Sequence, residues 1–442
     1  MLARWQRNTA QNRRPELTGR RHERGRRFRI RPLVTAAAIA IGLAPLAAVA
    51  GPALAQQTPV PGEFAYVNNN GNSTVSRLNT TTNTIVATIP LPPGANTIGS
   101  EVTPNGNFYY VANAGIDNLT KIDTFTNRIV AVIHLPAGAQ PNGVGITPDS
   151  RFIYSTNKGN NTVSKISVAD NTIVATITLP LGAASESVAV TPNGAFAYVS
   201  NSGLNTVSKI SVADNTVVAT ITLPDKSAPR GVKITPNGAF VYVADNGNKT
   251  VSKIDTTLDK VVANIPVGMG PTWLSITPDS AFTYVTNNGS NTVSKISVAN
   301  DTVVATIPVG TGPRGMWINI NGTQVYVADH DSDTVSVINV ANNTVDDTIH
   351  FPAGAGPEGV AFGRHVQVPV KVTKTRTKSS STSGGIVRSK NENFTGVVAT
   401  GGNGDKVRKK LGGIDSFVEQ VKQRHLNNPA FIKHLQAAGL HG

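Results

Sequence analysis

Arg314 and Glu358 stand 44 residues apart, at the same point of two closely similar stretches of this 442-residue chain. Arg230 and Glu186 hold that point in two further copies, and Ile98, Asn142 and Thr272 hold it in the rest. Where most positions are duplicated for packing, one that changes from copy to copy is available for recognition. The types found there suit it: guanidinium for anions, carboxylate for cations or protons, amide and hydroxyl for hydrogen bonds. Trp273 directly follows Thr272, and Trp317 lies three residues after Arg314. Tryptophan and arginine dominate binding hot spots. The ligand-binding candidates are therefore Asn142, Glu186, Arg230, Trp273, Arg314, Trp317 and Glu358, with Glu101 and Lys233 in the same segments.

A second departure from the copied pattern is "ADHDSDTVS", in which Asp329, Asp331 and Asp333 alternate. Alternating oxygen ligands suit Ca²⁺, but Val340 stands at the twelfth position and no glycine at the sixth, so this is not an EF-hand. A weak calcium site and a solvated acidic turn both fit. For catalysis the histidines are the first candidates. The strand pattern puts His134 and His350 in outer strands, His330 in a surface hairpin, and only His365 near an inner strand. No base with an orienting partner is visible, so the expectation is a non-enzymatic binding or scaffolding protein with no catalytic residue.

These candidates must be held by the repeat itself. Tyr66, Tyr110, Tyr154, Tyr198, Tyr242, Tyr284 and Tyr326 recur at steps of 44, 44, 44, 44, 42 and 42 residues. Each unit reads as four short strands. Around Tyr242 these are "GVKI", "AFVYVAD", "TVSKID" and "KVVANI", with the turn "TPNG" after the first. β-Branched residues disfavour helix, and Pro followed by Asn-Gly or Asp-Ser specifies a tight turn. Seven four-stranded units predict an all-β, seven-bladed β-propeller. The body opens on a second strand, "EFAYV", and finishes on an innermost strand, "EGVAF". The last strand should therefore complete the first blade and close the ring. The loop before the inner strand is two residues shorter in the copies beginning at Trp273 and Gly315, which should lower the rim beside Trp273, Arg314 and Trp317.

The phrases "YVADNGNKTVSKID", "YVTNNGSNTVSKIS" and "TVVATIPVGTGPRG" resemble the YVTN family of β-propeller repeats, across about 300 residues from Glu63 to roughly Gly363. The resemblance implies extracellular and surface-layer relatives. Some seven-bladed relatives are metal-dependent streptogramin lyases or lactonases, and that is the alternative to the binding reading.

The chain has no cysteine, so disulfides and thiolate chemistry are excluded. Its net charge of +14 belongs to its ends: residues 1–32 hold 11 Arg against 2 Glu, and residues 366–442 hold 13 Lys and Arg against 4 Asp and Glu. The body between them is mildly acidic, which opposes nucleic-acid binding. An arginine-rich start, the apolar run "LVTAAAIAIGLAPLAAVA" and Ala53 and Ala55 before Gln56 read as an export signal over residues 1–55, by the Sec or the twin-arginine route. The expected organisation is a signal peptide at 1–55, a propeller at 56–366, a flexible basic linker at 367–390 and a basic, partly helical tail at 391–442. The expected location is the cell surface or extracellular space, with a protein or cell-envelope component as partner and no transmembrane span after cleavage.

Overall fold

The computed structural model describes residues 62–365, and beyond them a two-residue ladder pairing Lys371–Val372 with Phe394–Thr395. The expected export signal, and all of the expected linker and helical tail except that ladder, lie outside the described residues. No helix among the described residues is long and apolar enough to cross a membrane.

Seven antiparallel four-stranded sheets form the body, as the tyrosine spacing predicts. Blade 1 is built from both ends of the body: Pro357–Arg364 lies innermost, followed outward by Glu63–Asn69, Thr74–Asn79 and Thr84–Pro90. Glu63 pairs with Arg364 and Asn68 with Gly359 across that closing ladder. The inner strands of blades 2 to 7 are Thr97–Val102, Pro141–Ile146, Ser185–Val190, Pro229–Ile234, Pro271–Ile276 and Pro313–Ile318. Each packs against the inner strands on both sides, blade 7 against blade 1 included, so the ring is closed around a central channel.

The seven landmark tyrosines are all fully buried, with the Val and Ile residues of neighbouring strands filling the space between blades. The "TVSK" phrase has an equally physical reason for repetition. Its lysine, on the third strand, lies over the phenylalanine two residues before the tyrosine, with Nζ about 4.0–4.6 Å from the ring centre in blades 2 to 6. The same ammonium then crosses to the outer turn of the next blade: Lys121 donates to Asn171, Lys165 to Asn215, Lys253 to Asp301 and Lys295 to Asn343, at 2.7–2.9 Å. Each receiving residue sits at positive φ, where Asn and Asp are tolerated best. Burial pushes the Lys121 ammonium down to about 8 against the pull of Asp123 and Asp170. Arg77 performs the lysine's task in blade 1. In blade 7 Val337 stands at that position, and the junction with blade 1 is made by the closing strand and by the Tyr326 hydroxyl on Asn83, 2.5 Å away.

Candidate active site

Each inner strand of blades 2 to 7 enters with a bulge, the register slipping between its first and fourth residues. In blade 1 the slip passes over Glu358. A bulge frees a residue from the ladder and re-aims its side chain. The freed second residues are Ile98, Asn142, Glu186, Arg230, Thr272, Arg314 and Glu358, the variable ring singled out in the sequence.

Facing this ring is a second one that the sequence reading missed. It comes from the loop after the second strand, four residues beyond each tyrosine: Asn70, Ala114, Lys158, Ser202, Asn246, Asn288 and His330. This column also varies among copies, which is the signal that could have found it. The two rings meet at two poles. On blades 3 and 4, Glu186 accepts from Asn142 Nδ2 at 2.9 Å, Lys158 Nζ at 2.7 Å and Ser202 Oγ at 3.2 Å. On blades 7 and 1, Arg314 Nη1 lies 2.6 Å from Glu358 Oε2, and His330 Nε2 lies 3.9 Å from the same oxygen. His330 Nδ1 is 2.7 Å from Asp331 Oδ1. Burial raises the Glu358 carboxyl, and the charges of Arg314, His330 and Arg230 draw it back down.

The shortened loop explains why this pole occurs where it does. In blades 1 to 5 the residue after the second-ring position is Gly, and a Cβ there would collide with a carbonyl oxygen of the loop entering the same blade. In blade 6 that loop is shorter and the nearest approach to Gly289 relaxes to 3.2 Å. Blade 7 has the other short loop and carries Asp331 there. The notch thus makes room for the carboxylate that orients His330.

Below the mouth, the inner-strand residues opposite the landmark tyrosines include three long side chains: Glu101, Lys233 and Trp317. Lys233 Nζ lies 3.9 Å from the Trp317 ring centre and 5.9 Å from that of Trp273. These partners belong to blades 7 and 6, so the lysine reaches through the channel. Burial pushes the Glu101 carboxyl up to about 7, opposed by the positive charge of Lys233. The same burial lowers Lys233 while Glu101 draws it up.

The histidines and aspartates singled out in the sequence lie in quite different surroundings. His365 is not at the mouth. It follows the opposite end of the closing strand, stacked on Phe125 with ring centres 3.9 Å apart, and Nε2 lies 3.0 Å from Thr124 Oγ1. Burial holds its imidazolium down to about 4, so it is a neutral packing element. His330, set aside as a hairpin residue, is the histidine that reaches the mouth. The three alternating aspartates also part company. Asp329 is buried and accepts from Ser336 Oγ at 2.6 Å, as the Asn at the same position in five other blades bonds its own serine or threonine. Asp333 accepts from the backbone N–H groups of Gly354 and Gly356 at 2.7 and 2.8 Å. Asp331 serves His330. Among the described residues no three His, Cys, Asp or Glu side chains are placed to share a metal ion.

Known structures match the fold at low identity. A protein of unknown function from Desulfotomaculum acetoxidans is 18% identical, with 68% of this chain and 99% of that one aligned and a TM-score of 0.60. A candidate 6-phosphogluconolactonase from Bacteroides uniformis is 19% identical over 68% and 99%, with a TM-score of 0.57. Virginiamycin B lyase from Staphylococcus aureus is 16% identical over 62% and 90%, with a TM-score of 0.54. No curated protein matches the chain. A family model described as lactonase, seven-bladed β-propeller, matches residues 102–273 and 257–350. This match, in a family defined by an enzyme, overturns the expectation of a non-enzymatic protein. That expectation rested on a missing base with an oriented partner, and the His330–Asp331 pair removes the ground for it. With more than half of its length matched, the chain belongs to the lactonase family of seven-bladed β-propellers.

Proposed function

We propose that the chain is a ring-opening hydrolase for a lactone, acting at the mouth where blade 7 meets blade 1. The observation that carries this reading is the His330–Asp331 pair beside Arg314 and Glu358. With Nδ1–H donated to Asp331, His330 presents the Nε2 lone pair to the mouth, the arrangement a general base requires. Water on Nε2 gives it a proton as the water oxygen adds to the lactone carbonyl carbon. The carbonyl oxygen takes up negative charge beside the Arg314 guanidinium, which Glu358 holds in place at 2.6 Å. The ring C–O bond then breaks, and the departing alkoxide recovers the proton from His330. Water and lactone become a hydroxy acid.

These steps use only side chains at the mouth; among the described residues no three His, Cys, Asp or Glu side chains are placed to share a metal ion. The export-signal pattern of residues 1–55 supports placing this activity outside the cytoplasm, at the surface or in the medium.

The test is a pH-stat assay of the full chain against simple γ- and δ-lactones, with product analysis. Turnover to hydroxy acid that falls about 10²-fold or more in His330→Ala is expected. An unsaturated product would redirect the reading to a lyase. Turnover unaffected by His330→Ala would end the proposed role of this residue.

A further inference from the structure

Five of the lysines among the described residues act as clasps between blades, and Lys158 is paired with Glu186 at 2.7 Å. Lys233 does neither. It stands in the channel, over Trp317 and beside Trp273, and no carboxylate among the described residues lies within ion-pair distance of it. A half-buried ammonium with aromatic faces around it and no fixed counter-ion is an anion site in waiting. Glu101 faces it from blade 2 as the nearby acid. The remaining inner-strand residues opposite the landmark tyrosines, Gly145, Ala189, Ser275 and Ala361, are small, so Glu101, Lys233 and Trp317 are the long side chains at this level.

We infer that the channel holds a site for a small organic carboxylate, its oxygens between the Lys233 ammonium and the Glu101 carboxyl and its apolar chain along Trp317 and Trp273. Arg314 and Trp317 lie on one strand three residues apart, so the channel site begins about 10 Å below the mouth at roughly 3.3 Å per residue. A substrate opened at His330 then extends downward, and the acid group on its tail is read by Lys233. This part rests on the hydrolase reading; the carboxylate site itself does not.

Glu101 makes the site sensitive to pH. As a neutral acid below about 7 it donates a hydrogen bond to the ligand, and above that it repels it. Lys233 is the other titrating group at this level, lowered by the same burial and drawn up by Glu101. The further charged or titratable side chains, Lys158, Glu186, Arg230, Arg314, His330 and Glu358, belong to the mouth.

The chain has three tryptophans, so a Trp5→Phe background leaves emission from Trp273 and Trp317 alone. In that full-length protein, titration with acetate, propionate and butyrate at constant ionic strength and pH 6 is expected to give a saturable emission change. Affinity should rise about fourfold per added CH₂ along the apolar wall. The response should vanish in Lys233→Met, persist in Lys233→Arg and weaken at least fivefold at pH 8.5. Absence of saturation in the parent, or an equal response in Lys233→Met, overturns the site. Lost carboxylate binding with His330-dependent turnover intact removes only this inference. Retained binding without any lactone turnover removes only the hydrolase reading.

Discussion

Asp331→Gly isolates the orienting role of one carboxylate with little disturbance of the fold, because blades 1 to 6 all carry Gly at that position. The bond at stake is the 2.7 Å contact from Asp331 Oδ1 to His330 Nδ1. A hydrogen bond to a charged group contributes about 1.5–3 kcal/mol when shielded. The Asp331 side chain is 60% exposed, so solvent screening brings this to about 1–2 kcal/mol. If that energy holds the imidazole in its productive tautomer and orientation, kcat/KM for lactone opening falls roughly 5- to 30-fold. Replacement by glycine costs about 1 kcal/mol of backbone freedom. For a body of about 300 residues that lowers Tm by roughly 2 °C. The assay is pH-stat kinetics beside a thermal melt of the same preparation. A change in kcat/KM below twofold, with the melt intact, would refute Asp331 as the residue that positions the base.

Two further expectations concern stability. Burial raises Asp329 from 3.8 to about 6, opposed by the Ser336 hydroxyl, so the group costs little when neutral and its contribution is lost as pH rises through 6. Asp329→Asn, which restores the amide found in five other blades, should therefore stabilise the protein at pH 8 by about 2–3 kcal/mol and leave it unchanged at pH 4. Urea midpoints at the two pH values check this, and an equal shift at both would contradict it. Lys253→Met removes a 6% exposed ammonium from Asp301 and the Val298 carbonyl, together with its 4.1 Å contact over Phe240. Breaking such a largely buried pair is expected to cost about 3 kcal/mol, a fall in Tm of roughly 5 °C, measurable by calorimetry.

The architecture was open to sequence reasoning because each blade repeats the same local solution. The tyrosine steps count the blades, the alternation of β-branched residues marks the strands, and a chain that begins on a second strand and ends on a first one must close on itself. One of the two rings at the mouth was equally visible, since Arg314 and Glu358 break a duplicated column. The other ring was not read, because a hairpin tip such as "HDSD" has the composition of a solvated turn. What brings His330 to Glu358 is the packing of one blade's loop against the next blade's inner strand, a relation between units that no pattern inside a unit expresses. His365 makes the converse point. Nearness to an inner strand in sequence says nothing about which end of the channel that strand has reached.

The closing strand has a consequence for when the site exists. Arg314 and His330 belong to the last complete blade, but Glu358 arrives on a segment that must dock beside Glu63–Asn69, nearly 300 residues earlier in the chain. Until that docking occurs the guanidinium has no anchor and the imidazole faces open solvent. Assembly of the mouth is therefore simultaneous with completion of the ring, so partly synthesised or partly unfolded chains lack the grouping altogether.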